Sequence, residues 1–376
     1  MKIGIDARMY GSGFGLARYT QQCIHHLLKI DSDYQYVLFV KKNHAALSSY
    51  IKEHSITQVR LVVVDIPWYS LKEQLCFKKI IQKESVDLMH FPHWNIPLFY
   101  NDPFVVTIHD LIMYHYPRPE ATTLGPITFW IKDQIHRRVV RHAVGKAKHI
   151  FVTSEFTKHD VHTTLQVPLD KMTVTYQAPF VSAKSDVSAS AVLKKYGITK
   201  PFALYVGSAY PHKNLDTLVD AWKQYIAEYE EDRQLVLVGK ESYFYDRLQK
   251  KIKDDFSIIY TGFVEDDELT ALYTKSDLYI FLSLYEGFGL PPLEALSHGV
   301  PVIASNRSCL PEVLGEAALY VDPKEVSQIV DVMHTGFTDE HIRHDIRQNA
   351  KKELLKYSWS SLAKKTQDIY DRVGRY

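Results

Sequence analysis

Two glutamates with seven residues between them bracket a glycine–proline turn, Glu286-Gly287-Phe288-Gly289-Leu290-Pro291-Pro292-Leu293-Glu294. Prolines in a first turn start a helix, and the glycines before them free the backbone to present N–H groups to a ligand. Glu286 stands before that turn, and Glu294 lies two turns into the helix. One carboxylate can face a cleft while the other reaches a second part of an extended ligand. Carboxylates accept hydrogen bonds from sugar hydroxyls, so a phosphate between two hydroxyl-rich ends suits the spacing. Two surface acids near a helix start would not need the Gly-Phe-Gly insertion.

A second cluster, Gly207-Ser208-Ala209-Tyr210-Pro211-His212-Lys213-Asn214, follows the β-rich run 202–206. Asn214 is expected as the N-cap of a helix over 215–228. Lys213 then adds a point charge to a positive helix end, which suits a phosphate; the competing reading is a solvated loop lysine. Gly11-Ser12-Gly13-Phe14-Gly15 lies between a strand at 2–7 and a helix at 16–30. Gly13 and Gly15 could admit an anion there, or the segment is simply a flexible loop. Its spacing is not G-x-G-x-x-G, which disfavours a nicotinamide oxidoreductase. His109-Asp110 ends the strand beginning at Val105, where site residues of α/β sheets stand, though a histidine there can equally satisfy a loop carbonyl. His90 and His93 lack Cys or paired carboxylates at ligand spacing, so no metal site is expected.

The elements that must position these residues alternate along the chain. Strands are expected at 2–7, 36–40, 59–64, 87–91, 105–109 and 150–153, mostly with helical periods between them. After an aperiodic stretch the pattern restarts at 202–206, 234–238, 258–260, 278–282, 302–304 and 318–321. Such alternation predicts parallel, doubly wound α/β sheets. A linker is placed near 177–198, giving domains 1–180 and 198–358 and a last helix, 359–376, with no evident place in the second sheet. The 376 residues suit two domains, and the 12% aromatic content excludes disorder as the dominant state. Residues 1–180 hold 21 Lys and Arg against 15 Asp and Glu, the remainder 24 against 29, so the halves differ in sign. Thirteen of 18 His lie before residue 181, and the front half is expected to gain charge on mild acidification. The overall balance of +1 weakens a nucleic-acid partner. The three cysteines match no zinc or disulfide pattern. Asp6 interrupts any signal-like apolar region, and no apolar run nears the ~20 residues of a membrane span. A soluble, cytoplasmic chain is expected.

The stretch from Ser283 to Glu294, with Gly299-Val300-Pro301-Val302-Ile303-Ala304 after it, resembles the E-x7-E region of the retaining glycosyltransferases of family 4. Val206-Gly207 through Lys213-Asn214 resembles that family's diphosphate loop, and Thr261-Gly262-Phe263-Val264 its nucleobase-flanking turn. Gly13 through Tyr19, His109-Asp110 and Thr153-Ser154-Glu155-Phe156 also match, so the resemblance covers nearly the whole chain. It implies a GT-B fold: two Rossmann-like domains facing across a cleft, with the terminal helix crossing back to the first. It implies that Glu294 binds ribose, that Lys213 with Gly207 and Ser208 binds diphosphate, and that Gly262, Phe263 and Val264 flank the base. Glu286, with Gly287 and the backbone of Phe288, Gly289 and Leu290, would hold the donor sugar; His109 would approach from the acceptor side. The partners implied are a nucleotide-sugar donor, most like GDP-mannose, and a glycan or lipid-linked saccharide acceptor. UDP-sugars and a catalytically silent scaffold are the alternatives. No cofactor or metal is implied, and no metal-binding D-x-D presents itself between strands. One departure is that Ser208 and His212 stand where the family often has a basic residue, with Arg307 the substitute considered. The basic stretch 127–149, carrying Lys132, Arg137, Arg138, Arg141, Lys146 and Lys148, suits peripheral contact with an anionic membrane; its Trp130, Ile131, Ile135, Val139 and Val140 are expected mostly in the core.

Overall fold

The computed structural model describes residues 1–11, 15–42, 44–119, 125–180 and 187–374. They divide into two compact units: Met1–Tyr114, Leu124–Gln177 and Ser358–Tyr376 form one, His115–Thr123 and Ala178–Tyr357 the other.

The N-terminal unit has seven strands: β1 (Lys2–Asp6), β2 (Gln35–Val40), β3 (Val59–Val63), β4 (Leu88–Phe91), β5 (Phe104–Ile108), β6 (His149–Val152) and β7 (Met172–Val174). Every pairing is parallel, in the order β3-β2-β1-β4-β5-β6-β7. Val, Ile, Leu and Phe fill the central strands because helices cover both faces of such a sheet. β7 was not expected from sequence: three residues after a tight turn at Leu169–Lys171 are too few to show a period. The terminal helix Trp359–Val373 buries Trp359, Leu362, Ala363, Thr366, Ile369 and Tyr370, a stripe at helical spacing. That stripe packs on helix Gly15–Leu27 of the same unit. It is pinned by Tyr370 Oη, 2.5 Å from His90 Nδ1, and by Tyr34 Oη donating to Asp371 at 2.5 Å.

The C-terminal unit has six parallel strands: β8 (Phe202–Val206), β9 (Gln234–Val238), β10 (Ile258–Gly262), β11 (Leu278–Phe281), β12 (Val302–Ser305) and β13 (Leu319–Val321). Their order is β10-β9-β8-β11-β12-β13, so both units are Rossmann-like and doubly wound. The segment expected as linker carries a helix, Ala189–Lys195, whose Val192 is buried and whose Lys195 pairs with Glu268 at 2.6 Å. One buried face over seven residues leaves no legible period.

Helix Gly125–Lys146 corrects a second expectation. Val139 and Val140 are buried, but Ile127, Trp130, Ile131 and Ile135 are exposed, Trp130 by 63%. The positions 127, 131 and 135 fall four apart and share one face. Lys132, Arg138 and Arg141 are exposed on this helix, whereas Arg137 is held by Asp133 at 2.7 Å.

The histidines correct a third. Burial holds His25, His26, His90, His93, His109, His136, His142 and His149 below the ordinary imidazole value, His90 to about 3. Mild acidification therefore leaves most of these rings neutral in the folded unit.

Candidate active site

Open α/β sheets bind ligands outside the carboxyl ends of their strands, where the strand order reverses. In the C-terminal unit that point lies between the neighbours β8 and β11. The loop after β8 carries Gly207 to Lys213, and the loop after β11 carries Ser283 to Gly289. Both sequence motifs therefore flank one switch point. The backbone N–H of Leu284 donates to the His212 carbonyl at 2.7 Å, tying the two loops together.

Three glycines make the floor. The Gly207 N–H donates to Val238 and the Gly239 N–H to Gly262, at 2.9 and 3.1 Å. A Cβ on Gly239 would collide with the Gly207 carbonyl, and one on Gly207 would stand 2.7 Å from Tyr205 Oη. The strand ends meet too closely for side chains. Gly239 was not singled out in the sequence, although it follows its strand as Gly207 follows β8.

Lys213 closes the short turn Pro211–Lys213 and donates to Glu286 Oε1 at 2.5 Å. Their side chains are only 16% and 8% exposed. The Glu286 backbone N–H donates to Ser308 Oγ at 3.1 Å; Ser308 was missed because a left-handed serine (φ 56°) carries no sequence signal. Asn214 does not cap with its side chain as expected. It adopts the left-handed conformation (φ 60°), and its amide donates to the Pro323 carbonyl at 2.7 Å, which fixes the helix start by another route.

Gly289 precedes helix Leu290–Ser297 at φ 84°, and a Cβ there would lie 2.8 Å from Leu310. Only glycine fits. Glu294 is the fifth residue of that helix, only 6% exposed, and accepts from Tyr273 Oη at 3.1 Å. Phe288 is buried edge-on against Tyr357 at 5.5 Å, so the aromatic side chain anchors the turn. Gly262 (φ 75°) ends β10, with Phe263 half exposed and Val264 buried.

His109 belongs to the N-terminal unit, at the end of β5. Its Nε2 lies 2.8 Å from the Pro92 carbonyl, which can only accept, so Nε2 carries the proton and Nδ1 is an acceptor. Burial lowers its pKa to about 4. Tyr19 packs edge-on against it at 4.5 Å. Gly15 opens its helix, exposed, while Gly13 lies outside the described residues. Among the described residues no group of three or more His, Cys, Asp or Glu could hold a metal ion. Asp31-Ser32-Asp33 does have D-x-D spacing, but it leads into the amino end of β2, away from the carboxyl ends of the strands of its own sheet.

The supply of positive charge at the β8 loop is thin. His212 is 1% exposed, and burial beside Lys213 and Arg118 lowers its pKa to about 2, so it is neutral. Arg307 pairs with Asp322 at 2.6 Å.

Residues 15–178 match Glycosyltransferase Family 4, and residues 191–353 match Glycosyl transferases group 1. The chain is a glycosyltransferase. Its fold is GT-B. O-antigen chain mannosyltransferase B of Escherichia coli is 28% identical over 291 residues, 75% of this chain and 74% of that protein. The serotype-specific mannosyltransferase WbdA of Escherichia coli is 32% identical over 245 residues, 61% of this chain but 29% of WbdA. Anabaena HepE, solved in complex with UDP-glucose, has a TM-score of 0.71 at 17% identity, covering 99% of this chain and all of that one.

Proposed function

We propose that this glycosyltransferase moves mannose from GDP-mannose, with retention, onto a glycan or lipid-linked saccharide in surface polysaccharide synthesis. The observation that carries the reading is the Lys213–Glu286 pair at the β8–β11 switch point, followed by buried Glu294 in the next helix. The O-antigen mannosyltransferase named above supports the choice of sugar and pathway class. Glu294 takes the ribose hydroxyls, Lys213 and the Gly207–Ser208 backbone the diphosphate, and Gly262 to Val264 flank the base. Glu286 and the backbone from Gly287 to Leu290 hold the sugar. His109, with Nδ1 an acceptor, takes a hydroxyl of the reacting sugars.

Cleavage of the bond from C1 to the diphosphate oxygen leaves negative charge on the diphosphate and positive charge on C1. Lys213 and the N-termini of helices Leu215–Tyr229 and Leu290–Ser297 answer the first. The acceptor oxygen attacks C1 on the face the diphosphate leaves, and its proton passes to the departing phosphate oxygen. No covalent enzyme nucleophile is invoked.

Calorimetric titration of GDP and UDP tests the reading. Glu294→Ala should weaken the preferred nucleotide by about 10- to 150-fold, the loss of charged hydrogen bonds worth about 1.5–3 kcal/mol. Unchanged affinity removes Glu294 from the site. Tighter UDP binding replaces GDP-mannose with a UDP-sugar, and no binding of either leaves a silent scaffold.

Transfer is expected to proceed without divalent metal, since Lys213 and two helix ends supply the positive potential. Activity in excess EDTA should match the untreated rate. Abolition with rescue by magnesium or manganese would overturn this.

The N-terminal unit is expected to touch anionic membrane through the exposed stripe Ile127, Trp130, Ile131 and Ile135 with Lys132, Arg138 and Arg141 beside it. No helix of the described residues is long and apolar enough to cross a membrane. Each cation adds ~1 kcal/mol near anionic lipid, enough together for reversible binding. In vesicle sedimentation at low salt, anionic vesicles should retain the protein and neutral ones should not. Trp130→Ser and removal of the three charges should each release it; equal, negligible binding to both vesicle types refutes the contact.

A further inference from the structure

The C-terminal unit takes in a segment from far upstream in the chain, of which residues 115–119 are described. That segment lies on both loops of the switch point. The Arg118 guanidinium sits over the Tyr210 ring, 3.6 Å from its centroid. The Tyr116 ring is 6.1 Å from His212 and 6.0 Å from Tyr285, and His115 is 5.1 Å from Tyr285. Tyr210 and His212 belong to the β8 loop, and Tyr285 is the neighbour of Glu286.

The electrostatics of the β8 loop make this placement informative. A nucleoside diphosphate brings two or more negative charges. Lys213 is already matched one-to-one by Glu286, His212 is neutral, and Arg307 is held by Asp322. The β8 loop and Arg307 therefore bring little unmatched charge to the diphosphate. Arg118 is partly exposed and close enough to His212 to perturb it electrostatically. Stacking on Tyr210 also fixes the plane of the guanidinium, and a fixed planar fork can bond two phosphate oxygens together.

We propose that Arg118, held on Tyr210 by the 115–119 segment, is the second cation of the donor diphosphate site, in place of the base missing at Ser208 and His212. This rests on the reading of the Lys213 loop as a nucleotide-diphosphate site. The segment follows His109 closely in sequence, so one stretch of chain supplies residues to both units.

The test uses calorimetry on the full chain with GDP, UDP and the nucleosides guanosine and uridine, for the parent, Arg118→Gln, Arg118→Lys and Lys213→Ala. The preferred diphosphate should bind about ten- to a hundredfold more weakly to Arg118→Gln, with Arg118→Lys in between. The matching nucleoside should bind all of them alike, because it has no phosphate. A parallel loss of nucleoside and diphosphate affinity would assign Arg118 a structural role and overturn the proposal. So would parental diphosphate affinity in Arg118→Gln while Lys213→Ala loses it. If the parent binds neither diphosphate, or Lys213→Ala binds it normally, the underlying reading of the loop fails instead. Should Arg118→Gln melt early, the diphosphate-to-nucleoside affinity ratio of Arg118→Lys decides: a lowered ratio supports the proposal and an unchanged one overturns it.

Discussion

Glu286→Gln is expected to lower turnover by about two to three orders of magnitude while the free nucleoside diphosphate binds nearly as it does to the parent. Removing one preorganised polar group at a reacting centre costs about that much in other enzymes. In the proposed site the carboxylate has two tasks: it would hold the donor sugar, and it holds Lys213 at 2.5 Å. Gln keeps the shape but loses the charge, so Lys213 no longer has an anionic partner before the donor arrives. Breaking a fully buried pair costs about 3–5 kcal/mol of stability. The figure should be lower here, because the Lys213 side chain is part-exposed, at 16%, and can turn toward water. Initial rates at saturating donor, calorimetry with GDP and UDP, and a thermal melt separate the effects. Turnover within threefold of the parent would remove Glu286 from the reaction. A parallel collapse of diphosphate binding would make it a nucleotide ligand instead.

What was legible in the sequence follows from scale. Strands of four to six apolar residues, each followed by a turn and a helix, announce themselves through composition, and β1, β4, β8 and β11 all lie where the alternation puts them. The Glu286–Glu294 turn was legible because glycine and proline at fixed offsets have few structural meanings. Position 289 bears this out, with its left-handed backbone and no room for a Cβ. Features set by tertiary contact were not legible. A lone glycine such as Gly239 is ordinary in sequence and indispensable only once the Gly207 carbonyl is beside it. Arg118 lies about ninety residues before Tyr210 in a stretch without period, so nothing local couples the two. Sequence alone places the apolar residues of helix Gly125–Lys146 inward because burial is their commonest fate, yet its first half turns them to solvent.

The histidines supply the other large effect, and its sign runs opposite to the simple charge count. Six strongly depressed rings lie in the N-terminal unit: His25, His109, His136 and His149 at about 4, His90 at about 3 and His93 well below its ordinary value. In each case burial is the main cause. The C-terminal unit has one comparable ring, His212. In the unfolded chain all of these protonate near pH 6.5. Folded-state values below the unfolded value mean that the unfolded chain binds more protons as pH falls. Stability is therefore full above about pH 6.5 and is lost progressively on acidification, down to the folded-state values near pH 4. Each ring that takes up a proton only on unfolding contributes ~1.4 kcal/mol per pH unit within that window. A few acting together rival the whole stability of a domain, about 5–15 kcal/mol. The N-terminal unit is thus expected to open first on mild acidification, near pH 5–6, with the C-terminal unit still folded. Hydrogen exchange read by mass spectrometry between pH 7 and 4.5, corrected for intrinsic exchange, should show peptides from β1, β4 and β5 losing protection before those from β8 and β11. His90 is the sharpest single probe: its imidazole is enclosed between Tyr370 Oη at 2.5 Å and Thr107 Oγ1 at 3.1 Å. His90→Gln, which keeps a polar side chain that does not titrate, should be less stable at pH 7.5 yet lose less on going to pH 5.5. Equal pH dependence in variant and parent, or loss of protection beginning in the C-terminal unit, would refute the assignment.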